Sequence, residues 1–248
     1  MTLAFSLDRT IVIRARRAAV FRFFTDSARF ARWWGEGSSI EPRVGGAVRI
    51  RYPDGSTASG EVAELAADAR IAFTYGYDAP GKPIAPGGSL VTITLHDVPE
   101  GTRLELRHDV ADRGTRDDHV QGWRYQLAVF ARVVAEDVFA PDPIAAWFAA
   151  WNDAAPRERL AGAVAPEVTF RDAHGCTRGV DELVQHIAAS HRFMPGVRLE
   201  QRGAPRHAHA TALVEWAAVR DGKTLAAGTD VFRFDADGKI AECVGIAS

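Results

Sequence analysis

Several things are scarce in this chain of 248 residues, and each scarcity excludes something. There are two cysteines, Cys176 and Cys243, far apart and without metal-ligand spacing, so neither a disulfide scaffold nor a zinc knuckle is expected, and both are read as buried free thiols. Charge of either sign is not in excess: 30 Lys and Arg stand against 32 Asp and Glu. A nucleic-acid binder leaves a basic footprint, and this chain has none. No apolar run is long enough to span a bilayer, and Met1 to Ile13 has no basic segment followed by an apolar one, so neither a membrane span nor a signal peptide is expected. A cytoplasmic location is the expectation that follows. Missing too are a glycine-rich phosphate loop, a Gly-x-Ser-x-Gly elbow and a His-Glu-x-x-His metal motif, so no cofactor and no metal are anticipated. The four tyrosines all precede residue 126.

What is present is nearly half hydrophobic, enough for two cores. One long helix is expected from Asp117 to Phe139. Val120, Trp123, Leu127, Phe130, Val134 and Val138 recur at steps of three and four, and Pro141 and Pro143 stop the run. Asp117 and Asp118 would sit at the positive end of its dipole. Ahead of it comes an alternating strand over Phe5–Ile13, two short helices over Ala18–Phe24 and Ser27–Trp33, and strands at Ala47–Tyr52, Ala58–Leu65, Arg70–Tyr77, Ser89–His96 and Thr102–Asp109. The loop Asp78–Gly88 is longer than a hairpin needs; it is either a flap over a pocket or an ordinary insertion. The expected boundaries are a first domain over 1–139, a linker over 140–143 and a second domain over 144–248.

The second part opens with helical spacing at Ile144, Trp147, Phe148 and Trp151, then a helix from Pro156 to about Val164 and another over Val180–His191. Strands are expected at Val197–Arg202, His207–Val219, Thr224–Asp235 and Lys239–Ile246, with Gly222 and Asp237-Gly238 as turns. Helices first and a sheet last make an α+β cone. Strand alternation puts Val168, Phe170 and Asp172 on one face and Asp230 on one face with Phe232 and Phe234. A carboxyl on such a face loses hydration in its charged form, so its pKa should rise, which suits holding or moving a proton. The plain alternatives are that Asp172 ends a strand in a turn and that Asp230 pairs with an arginine, His207 or His209. His174 and His191 are candidate proton-transfer partners.

Two resemblances sharpen this reading. Arg9-Thr10-Ile11, Ala19-Val20-Phe21, Phe24-Thr25-Asp26, Trp33-Trp34-Gly35, Val44-Gly45-Gly46, Gly60-Glu61-Val62 and His119 with Gly122-Trp123 and Leu127 resemble the activator of heat-shock-protein-90 ATPase homologue family, within the START-like (SRPBCC) helix-grip superfamily. That resemblance implies an antiparallel sheet around a long C-terminal helix, with an apolar-ligand cavity bordered by Trp34, Arg49, Arg51, Tyr75, His108, His119 and Trp123. Val168 to Asp172, His174-Gly175, Arg178-Gly179 and Asp230 to Asp235 with Gly238-Lys239-Ile240 resemble the SnoaL-like and ketosteroid-isomerase-like branch of the nuclear transport factor 2-like superfamily. It implies Asp172 as general base, Asp230 as a protonated hydrogen-bond partner, and a ligand cavity touching Phe148, Trp151, Phe170, Trp216 and Phe232. The tyrosine that would hold the developing oxyanion falls at or near Phe148 and is absent. The functional expectation is therefore a protein that binds a small hydrophobic molecule. The alternative is a cofactor-independent cyclase, isomerase or dehydratase, and a third reading is a chaperone-associated protein. A homodimer through the C-terminal sheet is also expected.

Overall fold

The computed structural model describes residues 2–248, which divide into two compact units between Asp137 and Val138. In the first, β1 (Phe5–Ile13) is followed by α1 (Arg17–Phe21), a 3-10 turn (Arg22–Phe24) and α2 (Ser27–Trp34). Then come β2 (Ser39–Ile40), β3 (Ala47–Arg51), β4 (Thr57–Ala66), β5 (Arg70–Tyr77), β6 (Ser89–Val98), β7 (Gly101–Val110) and the long helix α3 (Arg113–Val138). All seven strands join one antiparallel sheet in the order β1-β7-β6-β5-β4-β3-β2.

Helix α3 starts a turn earlier than the apolar spacing suggests. Asp112 accepts from the Thr115 backbone N–H and from its hydroxyl, so the cap is Asp112. Asp117 and Asp118 lie inside the helix. Its buried stripe is Trp123, Gln126, Leu127, Phe130, Val133 and Val134. Phe130 stacks on Phe24 and meets Phe23 and Trp33 edge-on, the arrangement the aromatic quadrupole favours.

The second unit holds α4 (Asp142–Ala150), α5 (Pro156–Leu160), β8 (Val164–Arg171), β9 (Cys176–Arg178), α6 (Gly179–Phe193), β10 (Arg198–Ala208), β11 (Thr211–Arg220), β12 (Lys223–Phe234) and β13 (Ile240–Ala247). Its sheet runs β10-β11-β12-β13-β8-β9, antiparallel except where β13 meets β8. Phe139 belongs to this unit: its ring stacks on His207 at 4.0 Å and meets Phe234 at 5.6 Å. Asp142 and Pro143 form the first turn of α4, where a proline's missing N–H costs nothing.

Three local expectations are corrected. Helix α5 stops at Leu160, because Gly162 takes φ +78° and turns the chain into β8. The first of the four expected strands does not end at Arg202: β10 continues through a bulge between Arg202 and Arg206, and the β10–β11 turn is at His209-Ala210. Both residues there have positive φ (48° and 58°), the two-residue hairpin geometry usually left to asparagine and glycine. Cys176 is exposed on the three-residue β9, whereas Cys243 is buried as anticipated.

Candidate functional sites

In the first unit a pocket of about 420 Å³ opens between α2, the β3–β5 side of the sheet and α3. Trp34, Tyr75, His119 and Trp123 line it, and so do Tyr52, Tyr77 and Gln126, which the sequence reading did not name. Tyr75 and Tyr77 are two apart on β5 and therefore share a face, a signal open to the alternation argument.

Behind this wall runs a chain of hydrogen bonds whose proton positions follow from donor type. An indole N–H can only donate, so Trp123 Nε1 donates to His108 Nδ1 at 3.0 Å. The remaining proton of the neutral ring is then on Nε2, which donates to Ser89 Oγ at 2.8 Å; that hydroxyl donates to the Tyr75 carbonyl oxygen at 2.8 Å. Burial, aided by the nearby His119, pushes the His108 pKa down to about 3, so the ring stays neutral. His119 Nδ1 donates to the Thr115 carbonyl at 2.7 Å, leaving Nε2 to accept from the Tyr77 hydroxyl at 3.3 Å. The Tyr52 and Tyr75 hydroxyls are 2.6 Å apart, and burial drives both pKa values up.

His108 is thus fully buried behind the pocket rather than on its border. Arg49 and Arg51 are not in it either. On β3 they alternate with buried Val48 and Ile50 and point to solvent. The loop Asp78–Gly88 contributes no residue to the pocket wall. It folds back on its own strands through Tyr77 N–H to the Ile84 carbonyl and Asp78 N–H to the Thr57 carbonyl, with Ile84 buried.

The second unit contains a smaller and more apolar cavity of about 180 Å³. Trp151, Phe170, Trp216, Asp172, His174 and Asp230 all line it, as does His191, whose Nε2 lies 2.8 Å from the Trp151 carbonyl. Phe148 and Phe232 do not. They belong to the hydrophobic core beneath, where the Phe232 ring meets Trp147 edge-on at 5.5 Å. Neither His207 nor His209 reaches Asp230: His207 is stacked on Phe139, and His209 is in the β10–β11 turn.

The two carboxyls sit in unlike environments. Asp230 is 4% exposed, and burial pushes its pKa up to about 7. Trp216, Trp147 and Cys243 lie near enough to favour its charged form, but they do not offset the lost hydration. By strict geometry the indole N–H groups of Trp147 and Trp216 form no hydrogen bond. Asp172 is just past the end of β8. Its Oδ1 accepts from the backbone N–H of His174 and of Gly175, both at 2.8 Å, which is the turn geometry weighed as its plain reading. Its Oδ2 lies 3.5 Å from Nε2 of His186, a residue the sequence reading passed over, and the His186 ring packs edge-on to Trp151 and Phe170. A helical position facing a strand end carries no motif, so only the tertiary contact reveals it. Asp172 therefore makes a turn and also presents a carboxylate oxygen at a cavity wall. Among the described residues no group of three or more potential metal ligands occurs, and no helix is long and apolar enough to cross a membrane.

A seven-stranded antiparallel sheet with a long C-terminal helix, followed by helices packed on a mixed six-stranded sheet, defines the class: a START-like helix-grip domain joined to a nuclear transport factor 2-like α+β domain. Residues 14–135 match the family described as activator of Hsp90 ATPase homolog 1-like protein, and residues 144–243 match the SnoaL-like domain. The chain thus carries one domain of each family, and both families have ligand-binding cavities. Solved structures with similarity include a SnoaL-like family protein from Agrobacterium tumefaciens at 25% identity, covering 43% of this chain and 94% of that one, with a TM-score of 0.41. An AHSA1-like protein from Rhizobium etli is 29% identical, covering 52% of this chain and 81% of that one, with a TM-score of 0.42. The Aha1 dimer from Colwellia psychrerythraea is 17% identical, covering 50% and 90%, with a TM-score of 0.43. No curated protein matches the chain.

Proposed function

We propose that the protein binds a small, mostly apolar molecule carrying one polar oxygen, and that the cavity of the C-terminal domain is the principal site. The observation that carries this is Asp230, a carboxyl held almost without exposure on a largely apolar wall that includes Trp151, Phe170, Trp216, Val197 and Leu199, with Asp172, His174 and His191 also on the lining. A buried acid with no basic partner costs stability and specifies no packing, so a binding role accounts for its presence. The apolar walls supply affinity and the acid supplies orientation. The aromatic pocket of the N-terminal domain is a second ligand site in this reading. Native mass spectrometry of protein purified from its own host tests it: a co-purified small molecule is expected, released on denaturation. Finding both cavities empty, with no small molecule stabilising the protein in a thermal-shift screen, would overturn the reading.

A second reading is favoured by the two acids facing one cavity. In it the domain catalyses proton transfer next to a carbonyl, with Asp172 as base, oriented by its two backbone N–H donors, and protonated Asp230 hydrogen-bonded to the developing enolate oxygen. The lost tyrosine weakens it, since an oxyanion donor contributes about 2.7–4 kcal/mol in comparable sites. Asp172→Asn should then abolish turnover of any ketone substrate accepted; unchanged turnover removes this reading and leaves the first. His174, exposed beside Asp172, would exchange protons with solvent in this scheme.

The scarcity of cysteine supports a reducing, cytoplasmic setting. Apolar residues on the outer face of β11–β13, Leu213 opposite Val231 and Val231 opposite Val244, with Ile246 exposed nearby, support a homodimer through that sheet, which sedimentation would reveal.

A further inference from the structure

The cavity of the second unit opens at one end of its sheet, where β8 and β13 finish and the β11–β12 hairpin turns. Of its lining, Phe170, Ala218 and Asp230 are buried, whereas Met194, Ala226 and Ala247 are exposed and form the rim. At this rim α6 ends and the chain enters β10 through Met194-Pro195-Gly196-Val197. The Val197 N–H donates to the Met194 carbonyl at 3.2 Å, proline fixes the second position, and Gly196 takes φ +73° at the third, so the turn is closed and tight. Its apolar side chains face outwards: Phe193 is 84% exposed and Met194 45%. A single apolar side chain on a surface is ordinary. This pair is adjacent, held by a turn and set on the rim of an apolar cavity.

The charge around the turn is equally selective. Elsewhere in this domain each arginine comes within 3.8 Å of a carboxylate oxygen. Among the described residues, Arg192, Arg198 and Arg220 are the domain's arginines that form no ion pair, and all three lie at this end: in the last turn of α6, at the start of β10 and at the end of β11. The Arg220 side chain reaches the turn, with its Cδ 3.7 Å from where a Cβ on Gly196 would stand. Lys223, opposite Arg220 in the hairpin, adds a fourth cation, and Asp221 between them is the acid set against the group. On a chain of net charge −2 this is a local excess of positive charge around exposed apolar side chains.

We propose that the α6–β10 turn docks this domain peripherally on a lipid bilayer bearing anionic headgroups, with Phe193 and Met194 entering the interface and the four cations lying over the phosphates. Apolar side chains gain by leaving water for the acyl boundary, and each cation gains by nearing a negative surface; the turn offers both at one point. A stable protein partner would need a much larger face than one turn supplies. Docked this way, the cavity mouth faces the phase in which apolar molecules dissolve. The docking itself does not depend on the cavity being occupied.

The test is co-sedimentation of the full-length chain with vesicles of phosphatidylcholine alone and of phosphatidylcholine containing about one third phosphatidylglycerol. Binding to the anionic vesicles is expected to be at least about tenfold tighter than to the neutral ones and to weaken as salt is added. Losing one cation should weaken it about fivefold, so Arg192→Gln with Arg220→Gln should weaken it about twentyfold. Phe193→Ser with Met194→Ser should weaken it about tenfold. These side chains are exposed, and amide NMR spectra unchanged outside the turn will show that the variants keep the fold. Arg157→Gln, at the opposite end of α6 beside Asp181, should leave binding unchanged. No binding to anionic vesicles, binding that survives the serine pair, or an equal loss in R157Q overturns the inference. So does a dimer that the serine pair dissociates, which would make the turn an interface between copies of this chain. Each of these outcomes leaves the cavity reading standing, since native mass spectrometry tests that separately.

Discussion

The two cavities use burial in opposite senses. In the N-terminal domain a deeply buried titratable group is a base, His108, and loss of hydration keeps it neutral by lowering its pKa to about 3. In the C-terminal domain it is an acid, Asp230, and the same loss keeps it neutral by raising its pKa to about 7. His108 is matched on both ring nitrogens, by Trp123 and Ser89, and serves as a strut behind an aromatic wall. Asp230 lies on a cavity wall, with Trp216, Trp147 and Cys243 beside it. A buried polar group whose partners are all present is architecture; one at a cavity wall is what the proposed ligand-binding reading rests on.

The comparison is sharpened most by Asp230→Asn. Folding raises this carboxyl's pKa above its unfolded value, so the folded state holds its proton more tightly. The cost of ionising it is absent below about pH 4, grows as pH rises, and is complete above about pH 7. At pH 8 the amide should stabilise the C-terminal domain by about 2–4 kcal/mol, and at pH 4 by almost nothing. Calorimetry of the full chain at both pH values checks this, and the transition that moves marks the domain. Equal effects at the two pH values would mean that the acid is not buried as described.

A somewhat smaller effect of the opposite sign is expected in the N-terminal domain. The unfolded chain protonates His108 below about pH 6.5, whereas the folded ring resists down to about pH 3, so this contribution to stability falls as pH drops through that window. Between pH 7 and pH 5 the loss should be about 2 kcal/mol, and it should vanish in His108→Gln. An identical pH slope in wild type and variant would show that His108 carries a proton in the fold or is not buried. The smallest effect belongs to Arg49→Ala, which should change N-terminal stability and ligand affinity by less than about 0.5 kcal/mol because the side chain points into solvent. A tenfold loss of affinity would put Arg49 back at the pocket.

Much of the fold was legible because periodicity reports burial directly. The stripe through Trp123, Leu127, Phe130 and Val134 located α3, and the alternation over Phe5–Ile13 located β1. Its ends were less legible: Asp112 rather than Asp117 starts α3, because a cap depends on which side chain bends back to the chain. The β10–β11 turn escaped because His209-Ala210 adopts a conformation that composition does not advertise. Among site residues, the cavity positions of Trp34, Tyr75, His119, Trp123, Trp151, Phe170 and Trp216 followed from the two family resemblances. Phe148 and Phe232 were misplaced, since alternation separates inside from outside but does not separate core from cavity wall. His186 was missed, because it acts through a contact between a helix and a strand end.

By itself the amino-acid sequence determined two α+β domains, the strand faces, and an apolar setting for two carboxylic acids, since local periodicity and side-chain hydrophobicity act along the chain. Only the tertiary structure decided that Asp230 is the buried acid while Asp172 is braced by a turn and His186. The reason is that hydration loss depends on which atoms the folded chain brings alongside, and local periodicity does not specify these.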